Sequence, residues 1–308
     1  MEASSNSTAK TLFFTTCALI AFAANSVLCR LALGDETIDA AGFTIIRLVS
    51  GAITLLLIFW LSSTLRNTGN KTTLTDSKGS WISALMLFLY AVTFSYAYIT
   101  LDTGTGALIL FGTVQITIIL ATLFSGGRLH TTEWIGTLVA FSGFVYLVLP
   151  NLSTPSFLGF VLMTLSGIGW GIYTLKGRGS KNPLADTTKN FYLTIPFVIV
   201  LALITFHDLH LTTEGVLLAI ASGAIASGMG YTIWYIALSG LSAIQAGIVQ
   251  LLVPVIAAFG GVIFVSETIS LRLTISALFI LGGILIVVLG RYYFIQRKAS
   301  DRPIENKM

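Results

Sequence analysis

Apolar stretches follow one another along the whole chain, at approximately Thr11–Leu33, Ala40–Ser62, Ser80–Thr100, Thr105–Phe124, Glu133–Leu149, Phe157–Leu175, Lys189–Phe206, Gly215–Leu238, Ala243–Val265 and Ser270–Leu289. Each is roughly 25–35 Å long at about 1.5 Å per helical residue, the length a hydrocarbon layer of about 30 Å demands. The pattern predicts ten membrane-spanning helices. Only Asp102-Thr103-Gly104 separates the third from the fourth, so nine is the alternative reading.

Composition agrees with a chain surrounded by lipid. Of 308 residues, 55% are hydrophobic and 10% charged, with mean hydropathy +0.89, whereas a water-soluble domain carries about 25% charged residues. The net charge of +4 and pI near 9.1 do not imply a nucleic-acid partner, because the basic residues sit in short loops and the tail rather than on a folded face. Cys17 and Cys29 fall on one helix, too far apart to bridge, so no disulfide framework follows. Lys10, the apolar run Thr11–Ile20 and Ala21-Phe22-Ala23 resemble a cleavable signal. Hydrophobicity nevertheless continues to Leu33, which favours an uncleaved first helix.

The charge distribution sets the expected orientation. With the N-terminus inside, the cytoplasmic segments hold fourteen of the 17 lysines and arginines, from Lys10, Arg66 and Arg128 to Lys176, Arg178 and Arg291. Arg30, Arg47 and Arg272 fall elsewhere, and Asp35-Glu36 and Asp208 lie outside. This is the positive-inside pattern, and an even helix count puts both termini in the cytoplasm of a cell (inner) membrane protein. Trp60, Trp81 and Trp134 come at cytoplasmic helix ends, as interfacial anchors do.

Residues Tyr96–Leu149 overlie Tyr235–Val288 at a constant offset with no gap, matching helix to helix and pairing Tyr96 with Tyr235, Ala107 with Ala246, Ile109 with Ile248 and Gly143 with Gly282. Halves of five helices each, an odd number, enter the membrane in opposite orientations. Such inverted repeats allow alternating access to a site near the midplane. The expected organisation is residues 1–150 and 151–290 as two five-helix repeats, with 291–308 as a basic cytoplasmic tail.

Several stretches resemble the drug/metabolite transporter superfamily, built from two EamA-type five-helix domains, over nearly the whole chain. They are Phe22-Ala23-Ala24-Asn25-Ser26-Val27 with Arg30, Phe43-Thr44-Ile45-Ile46-Arg47, Ala107–Gln115, Trp170-Gly171-Ile172-Tyr173, and Pro254 followed by Glu267. The resemblance implies an all-α membrane protein of ten helices, both termini cytoplasmic, with a central cavity lined from both halves. It also implies transport, by export or import, of amino acids, nucleotide sugars, drugs or other metabolites.

Polar residues retained in hydrocarbon cost about 2.5–3.5 kcal/mol for Arg, Lys or Asp, so they usually face a cavity or a partner. Arg47 lies about 10 Å into the second helix with no acidic residue within a turn. It is either a cation for a substrate or gate carboxylate, or a structural cation that snorkels or caps carbonyls. Asn25, Gln115, Gln245 and Gln250 both donate and accept, which suits a polar solute in a wet cavity or equally an interhelical contact. Tyr96, Trp170, Tyr173 and Trp234 offer flat walls to an aromatic or cationic solute, or simply pack. The eight candidate substrate contacts are these residues without Trp234. Glycines inside helices, such as Gly167, Gly169, Gly171, Gly223 and Gly228, read as close packing, and Pro196 and Pro254 as kinks.

No Asp or Glu occupies the middle of a predicted span, so a buried proton relay is not indicated. An enzyme would need a constellation, and no HExxH or GxSxG occurs. His130, His207 and His210 are all in loops, where His207-Asp208-Leu209-His210 reads as solvated rather than metal-binding. No cofactor or metal is expected. The partners are a small-molecule solute and the bilayer, with the chain as monomer or homodimer. The expected function is a secondary transporter, an exporter of a small metabolite, working by alternating access; the alternative is a channel or facilitator, although no filter sequence is present.

Overall fold

The computed structural model describes residues 2–65, 74, 77–124, 131–148, 156–241, 246 and 249–300. Among these residues there is no strand beyond one isolated bridge, Ile38 with Leu211. The helices are α1 (Glu2–Gly34), α2 (Ala40–Leu65), α3 (Trp81–Tyr98), α4 (Thr103–Phe124), α5 (Thr131–Val148), α6 (Phe157–Gly177) and α7 (Pro183–Thr205). Next come α8 (Thr213–Leu238), α9 (Val253–Phe264) and α10 (Leu271–Ser300). Among the described residues seven helices carry enough apolar length to cross a membrane; the apolar parts of the other three are shorter, Trp134–Leu147, Val253–Phe264 and Leu271–Ile286. Gln245 and the basic residues Arg66, Lys71, Arg128, Arg302 and Lys307 lie outside the described residues.

Helix starts are marked by side chains that accept from otherwise orphaned amides, each worth about 1 kcal/mol. Ser80 accepts from Ser83, Ser156 from Gly159, and Asn182 from Ala185 with Pro183 in the first turn. Thr212 accepts from Gly215 and Asp39 from Gly42. The Asn182-Pro183 start places α7 about two turns earlier than hydropathy alone suggests, because Asp186 and Lys189 are polar residues inside the helix.

The surface is the inverse of a soluble protein's. Leu203, Ile204, Phe124 and Leu278 are exposed, as are Trp60, Trp81 and Trp134, while Arg47, Asn25, Gln250 and Asn190 are buried. Helix α1 packs along α8 and against α9; α6 packs on α3 and α4; α2 lies on α7 and α8; α4 meets α9; and α5 packs chiefly on α10. Glycines permit the closest approaches. A Cβ on Gly167 would enter Thr113 and the Leu110 carbonyl of α4, and one on Gly169 would meet the Met86 carbonyl of α3.

A candidate substrate site around a buried arginine

Arg47 projects from α2 into the centre of the bundle and is 1% exposed. Its Nε donates to Ser227 Oγ at 3.0 Å, and Nη2 donates to the phenol oxygens of Tyr90, 2.8 Å, and Tyr231, 2.7 Å. The guanidinium carbon lies 5.1 Å from the Tyr90 ring centroid and 4.8 Å from that of Phe94, cation–π distances. Nη1 has no hydrogen-bond partner among the described residues. Among the described residues no carboxylate forms an ion pair with Arg47; the salt bridges belong to Arg30. The site thus holds a desolvated positive charge met only by neutral dipoles and ring faces, a costly arrangement where the dielectric is low.

Asn25 of α1 stands next to it. Its Oδ1 accepts from Ser222, 2.7 Å, and Ser227, 3.2 Å, and its Nδ2 donates to Tyr231 at 3.3 Å. Both serines lie in α8, whose segment Ala221–Met229 is π-helical. In an α-helix, residues five apart diverge by about 140°, whereas the wider turn of a π-helix, bonded i to i+5, brings them nearer to one face. The π segment is therefore what lets Ser222 and Ser227 reach the same Asn25 oxygen. It also seats Gly223 directly on the Arg47 carbonyl, where a Cβ would collide with Arg47 O and Ser50 Oγ.

A wall of rings completes the cluster. Trp170 of α6 lies 4.6 Å from Tyr231, 5.1 Å from Tyr90, 5.2 Å from Phe22 and 5.4 Å from Tyr173 between centroids. Its indole N–H donates to Gln250 Oε1 at 3.2 Å, while Gln250 Nε2 donates to the Ala246 carbonyl at 3.0 Å. Gln250 is four residues before Pro254, which supplies no amide to the Gln250 carbonyl and crowds it. The backbone turns at Leu251–Leu252 and α9 restarts with Pro254 in its first turn. Pro254 thus breaks the segment beside the site rather than bending a continuous helix, a discontinuity of the kind that borders transporter sites.

Of the eight sequence candidates, Asn25, Arg47, Trp170, Tyr173 and Gln250 come together here. Gln115 is buried on α4 one turn beyond Phe111, whose ring stacks on Phe22 at 6.2 Å. Tyr96 lies apart, in a hollow of about 560 Å³ at one end of the bundle, with Asp39, Asp208 and His210. The sequence does not single out Tyr90, Tyr231, Ser222 or Ser227, and Phe22 stands only in a stretch that carries the family resemblance. The only sequence signal for Tyr231 was its place after the glycine-rich Gly228-Met229-Gly230.

Polar contacts tie helices together at each end of the bundle. At the end holding the α3–α4 turn, Arg30 pairs with Glu267 at 3.2 Å, and the α1–α2 and α7–α8 turns join through Asp39, which accepts from His210 N at 2.8 Å. At the opposite end Asp186 accepts from Lys78 N, 2.7 Å, and Ser180 Oγ, 2.5 Å, while Asn190 accepts from Ser80 N, 3.0 Å.

Residues 157–289 match the EamA-like transporter family. An uncharacterized protein of Pseudomonas aeruginosa is 46% identical over 282 residues, 92% of this chain and 96% of that protein. The chain belongs to the EamA-like transporter family. Two uncharacterized transporters of Archaeoglobus fulgidus are also similar, at 27% identity over 66% of this chain and 74% of theirs, and at 25% over 73% and 80%. A protein of known crystal structure shares the fold, with TM-score 0.58 at 16% identity, covering 95% of this chain and 99% of that one. This EamA-like protein of the drug/metabolite transporter superfamily is a multi-pass membrane transporter.

Proposed function

We propose that this EamA-like protein is a secondary exporter of a small metabolite, working by alternating access between two inverted five-helix halves around Arg47. The carrying observation is that the Arg47 cluster draws on α1, α2 and α3 from one half and on α6, α8 and the Gln250 segment from the other, and is buried between them. Exchanging each helix for the one five places on turns the α1–α8 contact into α6–α3 and α1–α9 into α6–α4. The same exchange maps α2–α7, α4–α9 and α5–α10 onto themselves. That pairing supports a ten-helix 5+5 repeat with a pseudo-twofold axis in the membrane plane.

The charge bias puts both termini in the cytoplasm of an inner membrane, the Arg30–Glu267 end outside and the Asp186 end inside. Rocking of one half on the other then opens one tied end at a time, and Asn25, Gln115, Gln245 and Gln250 supply polar contacts to the solute. Two experiments test the reading. Purified protein in liposomes should move a solute from a panel of small metabolites saturably. Cysteines at Gln115, Trp170 and Gln250, in a background lacking Cys17 and Cys29, should react with an impermeant thiol reagent unless solute is present. Unitary currents in place of saturable, solute-protected flux would assign a channel instead.

A further inference from the structure

We infer that the solute carries a carboxylate or equivalent single negative charge, which pairs with the free Nη1 edge of Arg47 while its apolar, flat part lies against Trp170. The inference rests on the transport reading and narrows it to organic anions, excluding cationic drugs. Three observations carry it. Arg47 is 1% exposed and keeps Nη1 without a partner, although Nε and Nη2 are fully engaged. A second buried donor, the indole N–H of Trp234, also has no partner, and its ring packs edge-on at 5.4 Å against Phe22, which touches Trp170. The groups that hold Arg47 are neutral phenols and a hydroxyl, so the site's positive charge is uncompensated until an anion enters.

The chemistry of selection follows. A carboxylate oxygen accepts from the free Nη1 in a charge-assisted bond, roughly twice as strong as a neutral one. A neutral amide offers one acceptor and leaves the charge in place. An ammonium adds a second positive charge to a low-dielectric site, where like charges repel strongly. The ring cluster supplies a wall rather than a charge, so an aryl or alkyl body of modest size completes the ligand.

The test is isothermal titration of the full-length purified protein with phenylacetate, phenylacetamide and phenethylamine, three probes of one shape and different charge. Phenylacetate should bind at least tenfold more tightly than the amide, and phenethylamine should not bind. Arg47→Gln should erase the difference, and Arg47→Lys should keep part of it. The acid–amide comparison in the unaltered protein stands even where Arg47→Gln fails to fold. Equal binding of acid and amide, tighter binding of the amine, or failure of acetate, phenylacetate and indole-3-acetate alike to bind overturns the inference. Liposome flux separates this from the transport reading. Uptake of a cationic or neutral solute without carboxylate binding leaves a transporter with a different substrate, whereas Arg47-dependent carboxylate binding with no flux leaves the site and removes the carrier.

Discussion

Glu267 caps a helix to which it does not belong. Its carboxylate, 11% exposed, accepts from the Thr103 amide at 2.9 Å and from Thr103 Oγ1 at 3.0 Å, at the N-terminus of α4. Ser266 holds a left-handed φ of 57° to deliver it. Arg30 completes the joint, pairing with Glu267 at 3.2 Å and donating Nη1 to the Tyr98 carbonyl, 3.1 Å, at the C-terminus of α3. A carboxylate at a helix N-terminus and a guanidinium at a helix C-terminus are each favoured by the helix dipole, so this long-range pair fastens both sides of the α3–α4 turn.

Glu267→Gln should therefore loosen that end alone. Losing charge-assisted bonds costs about 1.5–3 kcal/mol, which shifts an open–closed balance about tenfold or more. Cys29, fully buried one residue before Arg30, is a native reporter once Cys17 is replaced by Ser. Its labelling by an impermeant thiol reagent from the outer side should rise about tenfold in the variant; an unchanged rate would remove Glu267 from any gating role.

Asp186→Asn should act at the opposite end. Asp186 is 5% exposed and holds Lys78 N and Ser180 Oγ, so its loss weakens the hold of α7 on the 77–80 segment and leaves the Asn190 bond to Ser80 N. A Thr174→Cys reporter, at a buried position of α6 near that end, should become more reactive from the cytoplasmic side and no more reactive from outside. Equal gains on both sides would mean general loosening rather than a one-sided opening.

How much of this was legible in the sequence differs from residue to residue. Arg47 announced itself because a cation within an apolar run is expensive anywhere. Trp170 and Gln250 stood out for the same reason, as polar or large groups where hydrocarbon is cheaper. Tyr90 and Tyr231 did not, since a tyrosine in an apolar helix looks the same whether its hydroxyl reaches an interface or a guanidinium. Tyr96 reads from the sequence as a flat aromatic wall, yet lying six residues beyond Tyr90, about 240° around the helix, it points into the hollow with Asp39. Glu267 read as a charge in a turn, because its partners are 164 and 237 residues away. The π segment has no local signature at all: it is stabilised by Asn25 and Arg47 from other helices.

That segment yields a packing prediction. Gly223→Ala would drive a methyl into the Arg47 carbonyl, which is backbone and cannot step aside, so destabilisation of at least about 1–3 kcal/mol is expected. Gly282→Ala in α10 meets nothing within 4 Å and should be neutral or gain up to about 1 kcal/mol from helix propensity. Thermal unfolding in detergent distinguishes them; a neutral Gly223→Ala would mean that α8 does not approach α2 this closely.

The phenol pair makes the sharpest test of the site's electrostatics. Tyr231 accepts from Arg47 and Asn25 and donates to Tyr90 at 3.0 Å, so Tyr231→Phe strands two buried donors at about 1–3 kcal/mol each. Tyr90→Phe removes one acceptor from Nη2 while Tyr231 remains within 2.7 Å, and its cost should be smaller. In the double variant Nη2 loses both acceptors, leaving the guanidinium only Ser227 and the ring faces. Sites in contact couple by about 0.5–3 kcal/mol, and here the sign is fixed: the double loss should exceed the sum of the single losses, because each phenol covers for the other. A double-mutant cycle on unfolding free energy measures this, and saturating phenylacetate should rescue the double variant more than either single one, since a carboxylate replaces the missing acceptors. Strict additivity, or equal rescue of all three, would mean that the phenols merely fill space around Arg47.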